Sequence, residues 1–359
     1  MKKIKVLDLF SGAGGFSTGL EMTGKFETVL ATDFNQAALN TFSKNHKSSQ
    51  IVNGDITDPK IKNKIVELST SKGIDMIIGG PPCQGFSMKG KKLGLNDPRN
   101  FLFLEYLDMV KRIHPKMFII ENVKPMITTA DGFFIGEIKR LVNEMGYKIS
   151  YAVLKASDYG VPQTRQRAII IATEDKEISM PLPYKTNKVT VRDAISDLSY
   201  LNSNEGQEVS EYKTDANSKY QELMRKGSKE LYNHKATNHS ALALEKLSLI
   251  PAEGDKKSLP EKYLGKQQFK TTWSRLIWDS QSPTIDTRFD TPSNGRNSHP
   301  YLNRAITPRE AARLQSFPDK FRFYGNKTEI SKQIGNAVPP LLAKAIGQNI
   351  LKEFWNEYI

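Results

Sequence analysis

Short apolar runs recur along the first third of the chain, and each one ends in glycine or a polar residue. Segments with helical spacing of apolar residues lie between these runs, so the pattern alternates between strand and helix. Such alternation predicts an α/β fold with a mostly parallel sheet and helices on both of its faces. The predicted strands cover residues 3–10, 28–34, 51–56, 75–81 and 117–123.

The pattern also predicts the elements that complete this sheet. The clearest helix begins at Asp97 and Pro98, a capping residue followed by proline at the first helical position, and ends before Pro115. Farther along, apolar runs at 147–156 and 167–174 lie close together in sequence. We expect them to pair in antiparallel orientation at one edge of the sheet.

The pattern changes near Pro181, where a long polar stretch with weak periodicity begins. This stretch predicts a second, smaller and irregular domain; an insertion without a core of its own is the alternative. Helical patterns return with Thr307 as a cap, and an amphipathic helix closes the chain. The predicted boundaries are a first domain at 1–180, a second at 181–303, a supporting hinge at 304–328 and a return to the first domain at 329–359.

The charge balance limits the kind of partner. The chain has 52 lysine and arginine residues against 39 aspartate and glutamate residues, which gives a formal net charge of +13 and a pI of about 9.5. This excess is spread along the chain without forming a basic tail. It favours a polyanionic partner, most simply nucleic acid.

Other features bear on the compartment. No apolar run reaches the roughly 20 residues of a membrane span, and Asp8 interrupts the N-terminal apolar run too early for a signal peptide. Cys83 is the single cysteine in 359 residues, which excludes an intrachain disulfide and a multi-cysteine metal cage. We therefore expect a cytoplasmic protein without membrane association.

Residues 8–20 predict a strand, a glycine-rich turn and a helix, a combination that lets the backbone approach a ligand closely. The dinucleotide fingerprint is absent, because Ser17 stands where its last glycine belongs. Asp33 and Asp55 end the next two predicted strands, where one carboxylate could bind ribose hydroxyls and the other an adenine amino group. Ordinary helix capping by both is the alternative. The pattern favours an adenosyl ligand without pyrophosphate, such as S-adenosylmethionine.

Cys83 follows two glycines and two prolines at the end of a predicted strand, which places the thiol at the carboxyl edge of the sheet. Two interpretations are open from these residues alone, a buried inert side chain or a nucleophilic thiolate. The nearby Lys89, Lys91 and Lys92 would favour the anion or hold phosphate groups.

Glu121 ends the next predicted strand at the same edge, and Arg165 and Arg167 would face the same way on an extended segment. A thiol, a carboxyl group and two guanidinium groups beside a methyl donor suit one chemistry well. They could add a nucleophile to an electron-poor ring and then methylate its carbon.

With these motifs in order, the chain resembles the C5-cytosine DNA methyltransferase family nearly end to end. Asp33 stands where a glutamate is more usual in that family, and residues 181–303 match nothing specific, which leaves the target sequence open. The resemblance is carried by "DLFSGAGG" (8–15), "GGPPCQGFS" (79–87), "ENV" (121–123), "QTRQR" (163–167), "RAITPREAARLQSFPD" (304–319) and "QIGNAVPP" (333–340).

The resemblance implies a Rossmann-like, S-adenosylmethionine-dependent catalytic domain and a target-recognition domain at 181–303. Cys83 would add to C6 of a cytosine rotated out of the duplex, and Glu121 would hold N3 and the 4-amino group. Arg165 would contact O2 of the base, and Arg167 would brace the loop. No metal is implied, and the cofactor leaves as S-adenosylhomocysteine. The cofactor-binding residues would be Phe10, Gly12, Gly14, Asp33, Phe34, Asp55, Ile56, Pro81, Leu102 and Asn336.

Phe34 could either stack on the adenine or pack in the core, and both interpretations are open. The DNA contacts would come from Lys89, Lys91, Lys92, Arg275, Thr284 and Arg288, since 260–300 mixes aromatic, arginine and hydroxyl side chains. Trp273 and Trp278 favour a small core over stacking platforms. His234 and His239 are expected on the surface, without a metal.

Relatives that methylate transfer RNA share these motifs, so an RNA cytosine-5 methyltransferase is the alternative. Those relatives carry a Cys-Phe-Thr element, and the chain has no second cysteine. Methylation of an exocyclic amine and a non-catalytic binding protein are further rivals. The expected biological role is that of a monomeric bacterial or phage enzyme that protects DNA from a cognate restriction endonuclease.

Overall fold

The structure is a computed structural model that describes residues 3–82, 101–128, 133–264 and 271–356. The chain forms two compact units. The first comprises Met1–Lys155, Gln166–Pro183 and Pro340–Ile359, and the second Ala156–Arg165 and Tyr184–Pro339. The division differs from the predicted boundaries, because 156–165 and 304–339 belong to the second unit and the return to the first begins at 340 instead of 329.

A seven-stranded sheet forms the first unit, and its strands are β1 (Ile4–Leu9), β2 (Phe26–Asp33), β3 (Gln50–Asn53), β4 (Met76–Gly79), β5 (Met117–Val123), β6 (Lys148–Lys155) and β7 (Gln166–Thr173). They are ordered β3-β2-β1-β4-β5-β7-β6. The first five run parallel, and β7 is antiparallel to β5 and β6. The predicted α/β fold and the antiparallel edge pair are confirmed.

The helices are short to medium in length. They are α1 (Gly15–Glu21), α2 (Gln36–Asn45), α3 (Pro59–Lys72), α4 (Phe101–Ile113), α5 (Pro125–Thr128), α6 (Phe133–Glu144), α7 (Val191–Ile195), α8 (Lys219–Arg225), α9 (Ala241–Ser248), α10 (Pro308–Leu314), α11 (Lys327–Asn336) and α12 (Pro340–Glu353). The predicted start of α4 at Asp97 lies outside the described residues. No helix in the described ranges is long and apolar enough to cross a membrane.

The closing helix α12 returns to the glycine-rich segment at the start of the chain. A Cβ added to Gly19 of α1 would lie 2.2 Å from the carbonyl oxygen of Pro340, so only glycine permits this approach. Gly347 of α12 faces Leu20 and Phe26 in the same interface. The packing of α12 on α1 therefore fixes the helix that follows the glycine turn.

The parallel strands end together at one edge of the sheet. Leu9 pairs with Thr32 on one side and with Gly79 on the other, and Gly79 pairs with Ile120. Strand order reverses between β1 and β4, which is the position where open α/β sheets bind ligands. Residues that follow β1, β2, β3, β4 and β5 thus share this edge.

The second unit is irregular, as predicted, but it has a core of its own. Its two-stranded sheet pairs β8 (Gly206–Ser210) with β9 (Leu231–Lys235) in antiparallel orientation. A small cluster packs Trp273 on Leu247, Ile250 and Leu259. An insertion without a core is therefore excluded.

Buried charged groups stabilise the second unit. Arg313 of α10 donates to Asp197 at 2.5 Å and to Asp319 at 2.7 Å, and all three side chains are fully buried. Thr307 caps α10 and forms a capping box with Glu310, which confirms the predicted start of this helix. Segment 304–319 is thus part of the second unit instead of a hinge beside it.

Candidate active site

The glycine turn after β1 has a backbone conformation that lets a ligand approach it closely. Phe10, Gly12 and Gly14 have φ angles of 57°, 53° and 96°, in the left-handed region. The Gly12 amide donates to Oδ2 of Asp33 at 2.9 Å, which ties the turn to the end of β2. A Cβ on Gly14 would lie 2.7 Å from Nε2 of His46, so the turn has no room for a side chain there.

Buried polar groups support this turn from behind. Ser17 donates to Asp8 at 2.6 Å, and burial raises the pKa of Asp8 to about 8. His46 is buried, with Nδ1 at 2.8 Å from Glu21 and Nε2 at 3.2 Å from Thr18. Sequence reasoning missed Asp8 and His46 as supports, because their contacts depend on how α1 and α2 pack.

A cavity of about 210 Å³ opens beside the turn, entirely within the first unit. Burial raises the pKa of Asp33, while the amides of Asn35 and Gly12 act in the opposite direction. Phe34 is 73% exposed, which excludes the core interpretation for this ring. The lining residues are Phe10, Thr32, Asp33, Phe34, Gly54, Asp55, Ile56, Pro82 and Leu102.

Most residues that the sequence assigned to the cofactor are therefore brought together by the strand ends. Helix capping does not explain the two aspartates, because Asn35 caps α2 and Asp58 caps α3. Pro81 is buried, and it is its neighbour Pro82 that lines the cavity. Thr32, Gly54 and Pro82 were missed, although each stands beside a residue that was identified. Asn336 ends α11 in the second unit, and its cofactor contact stays a prediction.

A buried ion pair lies at the end of β5. Nε of Arg167 is 2.7 Å from Oε1 of Glu121, and both side chains are largely buried. A Cβ on Gly80 would lie 3.0 Å from Oε2 of Glu121, so the glycine before the prolines leaves room for this carboxylate. Asn122 donates to the carbonyl of Pro81 at 2.8 Å, which holds the chain just ahead of Cys83.

The two arginines of "QTRQR" have the opposite placement to the one predicted. Arg165 is 2% exposed, and its guanidinium donates to the carbonyls of Ile285 at 3.2 Å and Gly335 at 3.0 Å. This burial and these two carbonyl partners argue against the predicted contact of Arg165 with O2. Arg167, predicted to brace the loop, is the arginine that meets Glu121. Their spacing on an extended segment predicted one shared direction, but the segment crosses from one unit to the other.

The predicted DNA contacts divide into three groups. Lys89, Lys91 and Lys92 lie outside the described residues, as does Cys83. Thr284 and Arg288 are exposed in the second unit, and their DNA contacts stay predictions.

Arg275 is a correction, since it is 1% exposed and its guanidinium is enclosed by acceptors within the second unit. It donates to the carbonyls of Leu247, Ile250, His299 and Leu302 and to the side chain of Asn303. Of the aromatic side chains near Arg275, Trp273 belongs to the local core.

The histidine prediction is partly wrong. His234 is 1% exposed, and its Nδ1 lies 3.0 Å from Oγ1 of Thr307. His239 accepts from the Ala305 amide at 3.0 Å. Across the described ranges, no group of three or more histidine, cysteine, aspartate or glutamate residues is arranged to hold a metal.

Comparison with known proteins identifies relatives along the whole chain. The family model for the C-5 cytosine-specific DNA methylase matches residues 4–352. The Type II methyltransferase M1.HphI of Haemophilus parahaemolyticus is 38% identical over 98% of this chain and 87% of its own length. M.DdeI of Desulfomicrobium norvegicum is 36% identical over 98% of this chain and 90% of its own.

Solved structures agree with these relatives. A DNA modification methyltransferase encoded within a prophage (E. coli) has a TM-score of 0.79 and 29% identity, over 98% of this chain and 99% of that one. A methyltransferase of Entamoeba histolytica shares the fold, with a TM-score of 0.65 and 17% identity over 98% and 99% of the two chains. The chain therefore belongs to the C-5 cytosine-specific DNA methylase family, and it is a DNA cytosine-5-methyltransferase.

Proposed function

We propose that this enzyme transfers a methyl group from S-adenosylmethionine to C5 of a cytosine in a specific duplex DNA sequence, through a transient bond between Cys83 and C6. One observation carries the proposal above the others. The cavity and the Glu121–Arg167 pair occupy the same edge of one sheet, and the chain passes from Pro82 in the cavity wall directly to Cys83.

The polar and apolar side chains that line the cavity suit an adenosyl ligand. Asp33 would hold the ribose hydroxyls, Asp55 and Ile56 the adenine, and the exposed ring of Phe34 offers a face for stacking. The left-handed backbone at Gly12 and Gly14 would lie along the methionine moiety. When bound, S-adenosylmethionine supplies an electrophilic methyl group.

Side chains at the carboxyl edge of the sheet would activate the cytosine ring and release the methylated product. C5 of cytosine is a weak nucleophile, and addition of the Cys83 thiolate to C6 makes C5 electron-rich. Glu121 would hold N3 and the 4-amino group and supply a proton as charge develops on the ring. Arg167 would orient the Glu121 carboxyl group through the contact between its Nε and Oε1 of Glu121. After methyl transfer, a base removes the C5 proton and the thiolate leaves.

Access to the base requires the cytosine to leave the duplex, at a cost of a few kcal/mol. Phosphate contacts by Lys89, Lys91, Lys92 and the exposed Arg288 would offset this cost. We assign sequence recognition to the second unit. The enzyme would act as a monomer in the cytoplasm. The Type II names of its relatives support a role in protecting DNA from a cognate restriction endonuclease.

RNA cytosine-5 methylation is the rival that a direct test must exclude. We would incubate the enzyme with S-adenosylmethionine and duplex DNA that contains 5-fluorocytosine in random sequence contexts. Because fluorine blocks the final elimination, we expect a complex that survives denaturation with the wild type but not with Cys83→Ala. Methylated DNA without such a complex would exclude attack by Cys83. Methylation of RNA in place of DNA would favour the rival.

A further inference from the structure

The second unit contains a backbone segment, residues 282–286, that side chains of the "QTRQR" motif hold in place. The pairing begins on the main chain: the Thr164 amide donates to the carbonyl of Ser282 at 2.9 Å, and the Ser282 amide donates to the carbonyl of Pro162 at 3.0 Å. We call residues 282–286 the clamped segment. It lies alongside Pro162–Thr164 as an added extended strand would.

Gln163 supplies the first side-chain contact of the clamp. Its side-chain oxygen accepts from the Ile285 amide at 2.9 Å, and its side-chain nitrogen donates to the carbonyl of Leu314 and to Gln315, both at 3.0 Å. The side chain is fully buried. Gln163 therefore ties the clamped segment to the end of α10, and each of its polar atoms has a defined partner.

Arg165 supplies the second contact, on the other side of the same residue. It donates to the Ile285 carbonyl at 3.2 Å and to the Gly335 carbonyl at 3.0 Å. The backbone of Gly335 packs closely against the clamped segment, since a Cβ at Gly335 would lie 2.4 Å from the carbonyl carbon of Asp286. Both backbone polar groups of Ile285 are thus fixed by side chains of a single motif.

The clamp determines which side chains the segment presents. Ile285 is fully buried, whereas Thr284 and Arg288 on either side are exposed. Asp286 accepts from the Arg288 amide at 2.7 Å and from Asn294 at 2.8 Å, so the turn that carries Arg288 is anchored to the same segment. The segment thus presents exposed Thr284 beside buried Ile285, and the adjoining turn presents exposed Arg288.

From this arrangement we propose that Gln163 and Arg165 are positioning residues for DNA target selectivity, which they control by holding the clamped segment with its exposed Thr284 and, through Asp286, the adjoining turn that carries Arg288. This inference rests on the proposed DNA methylation. A good hydrogen-bonding contact to a base edge discriminates between base pairs by about tenfold or more, and it requires placement to within about 0.5 Å. Loss of the clamp lets the exposed side chains shift, which weakens the preference for the correct site without removing a catalytic group.

The test compares Gln163→Ala with Gln221→Ala. Gln221 is a matched control, because it is a fully buried glutamine of the same unit that also accepts from an amide, that of Asn217, and donates to the carbonyl of Arg192 and to Ser196. Each variant methylates a random-sequence duplex library, and bisulfite sequencing gives the ratio of preferred to near-preferred sites. The KM for DNA, the kcat at saturating DNA and the unfolding midpoint are measured alongside.

We expect Gln163→Ala to lower the selectivity ratio about tenfold and to raise the KM for DNA, with kcat within about twofold of the wild type. Gln221→Ala should lose stability but keep the selectivity ratio. Arg165→Lys, which cannot span both carbonyls, should change selectivity in the same direction as Gln163→Ala.

Two results would overturn the proposal. One is a fall in kcat for Gln163→Ala and Arg165→Lys with selectivity unchanged, which would place these residues in the chemistry. The other is an equal loss of selectivity in Gln221→Ala. This result would mean that selectivity depends on the general packing of the second unit and not on the clamp. If the wild type itself leaves no 5-methylcytosine in the DNA library, the proposed function fails, and this inference fails with it.

Discussion

The two units of this enzyme are stabilised in different ways. In the first, the central strands are nearly continuous runs of buried apolar residues, and their backbone polar groups pair with neighbouring strands. In the second, strands are few, and buried arginine side chains donate to backbone carbonyls and carboxylates. Arg275, Arg304, Arg309 and Arg313 are at most 1% exposed.

This difference follows from the need to satisfy buried backbone groups. A carbonyl inside a sheet is satisfied by the ladder, whereas a carbonyl inside an irregular segment needs another donor. Arg309 shows the solution, since it donates to the carbonyls of Tyr232, Pro318 and Phe321. A guanidinium group can serve several acceptors at fixed angles, so one arginine replaces several ladder bonds.

The largest expected effect is that of replacing Glu121, which should reduce turnover without weakening DNA binding. We expect Glu121→Ala to lower turnover about 10²- to 10⁴-fold, because it removes the group that would stabilise charge on the cytosine ring. DNA binding should change little, because none of the proposed phosphate contacts involves Glu121. Single-turnover kinetics and DNA titration check this, with Glu137→Ala on α6 as control. A loss of less than about tenfold would remove Glu121 from the chemistry.

The next prediction concerns how the second unit is stabilised. Arg313→Leu leaves Asp197 and Asp319 buried without this partner, so we expect a loss of about 3–5 kcal/mol in the free energy of unfolding. Arg140→Leu in the first unit breaks exposed pairs with Glu137 and Glu144 and should cost less than about 1 kcal/mol. Urea unfolding measures both. Similar losses would contradict the proposed difference between the units.

The buried Asp8 behind the glycine turn should make the stability of the protein depend on pH. Burial raises the pKa of Asp8 to about 8, far above the ordinary value of about 3.9. The folded protein therefore keeps a proton that the unfolded chain releases, so the stability from this group is present at low pH and is lost as the pH rises towards 8.

Asp8→Asn should remove this dependence. We expect the change in unfolding free energy between pH 5 and pH 8 to differ between wild type and variant on the order of 3 kcal/mol. Chemical unfolding at both pH values gives the comparison. Parallel pH profiles for the two proteins would mean that Asp8 is ionised in the folded state.

The smallest effect concerns cofactor affinity. Asp33→Ala removes the carboxylate from the cavity wall, and we expect S-adenosylmethionine to bind about 10- to 100-fold more weakly, the loss of a charged hydrogen bond. Asp58→Ala removes a helix-capping aspartate outside the cavity and should leave affinity unchanged. Calorimetric titration without DNA would show this. Equal affinities in the two variants would exclude ribose binding by Asp33.

The contrast between the two units also explains which features could be predicted from the sequence and which could not. Strand ends in the first unit could be predicted because apolar runs have clear limits and parallel strands end at one edge, which brought Phe10, Asp33, Asp55 and Glu121 to their places. Support by His46 could not be predicted, since it depends on the packing of two helices. Its contacts with Glu21 and Thr18 join residues 25 and 28 positions apart.

In the second unit, sequence reasoning failed for a physical reason. Arg275 was assigned to DNA because 260–300 mixes aromatic, arginine and hydroxyl side chains, and Arg165 was assigned to the base by the family resemblance. Both side chains are buried, although arginine is usually exposed. Their acceptors are carbonyls 24 to 28 and 120 to 170 positions away, which no local pattern reveals. The capped helix α10 was predicted correctly, because a Thr307 cap followed by Pro308 is a local signal.

The central claim is that Arg167 serves the chemistry and Arg165 serves recognition, although one residue separates them. The most direct test measures the single-turnover methylation rate and the site selectivity of Arg167→Lys and Arg165→Lys side by side, at saturating DNA and cofactor. We expect Arg167→Lys to lower the rate and keep selectivity, and Arg165→Lys to relax selectivity and keep the rate. The reverse pattern, or a loss of rate with unchanged selectivity in both, would contradict the division of labour between the two units.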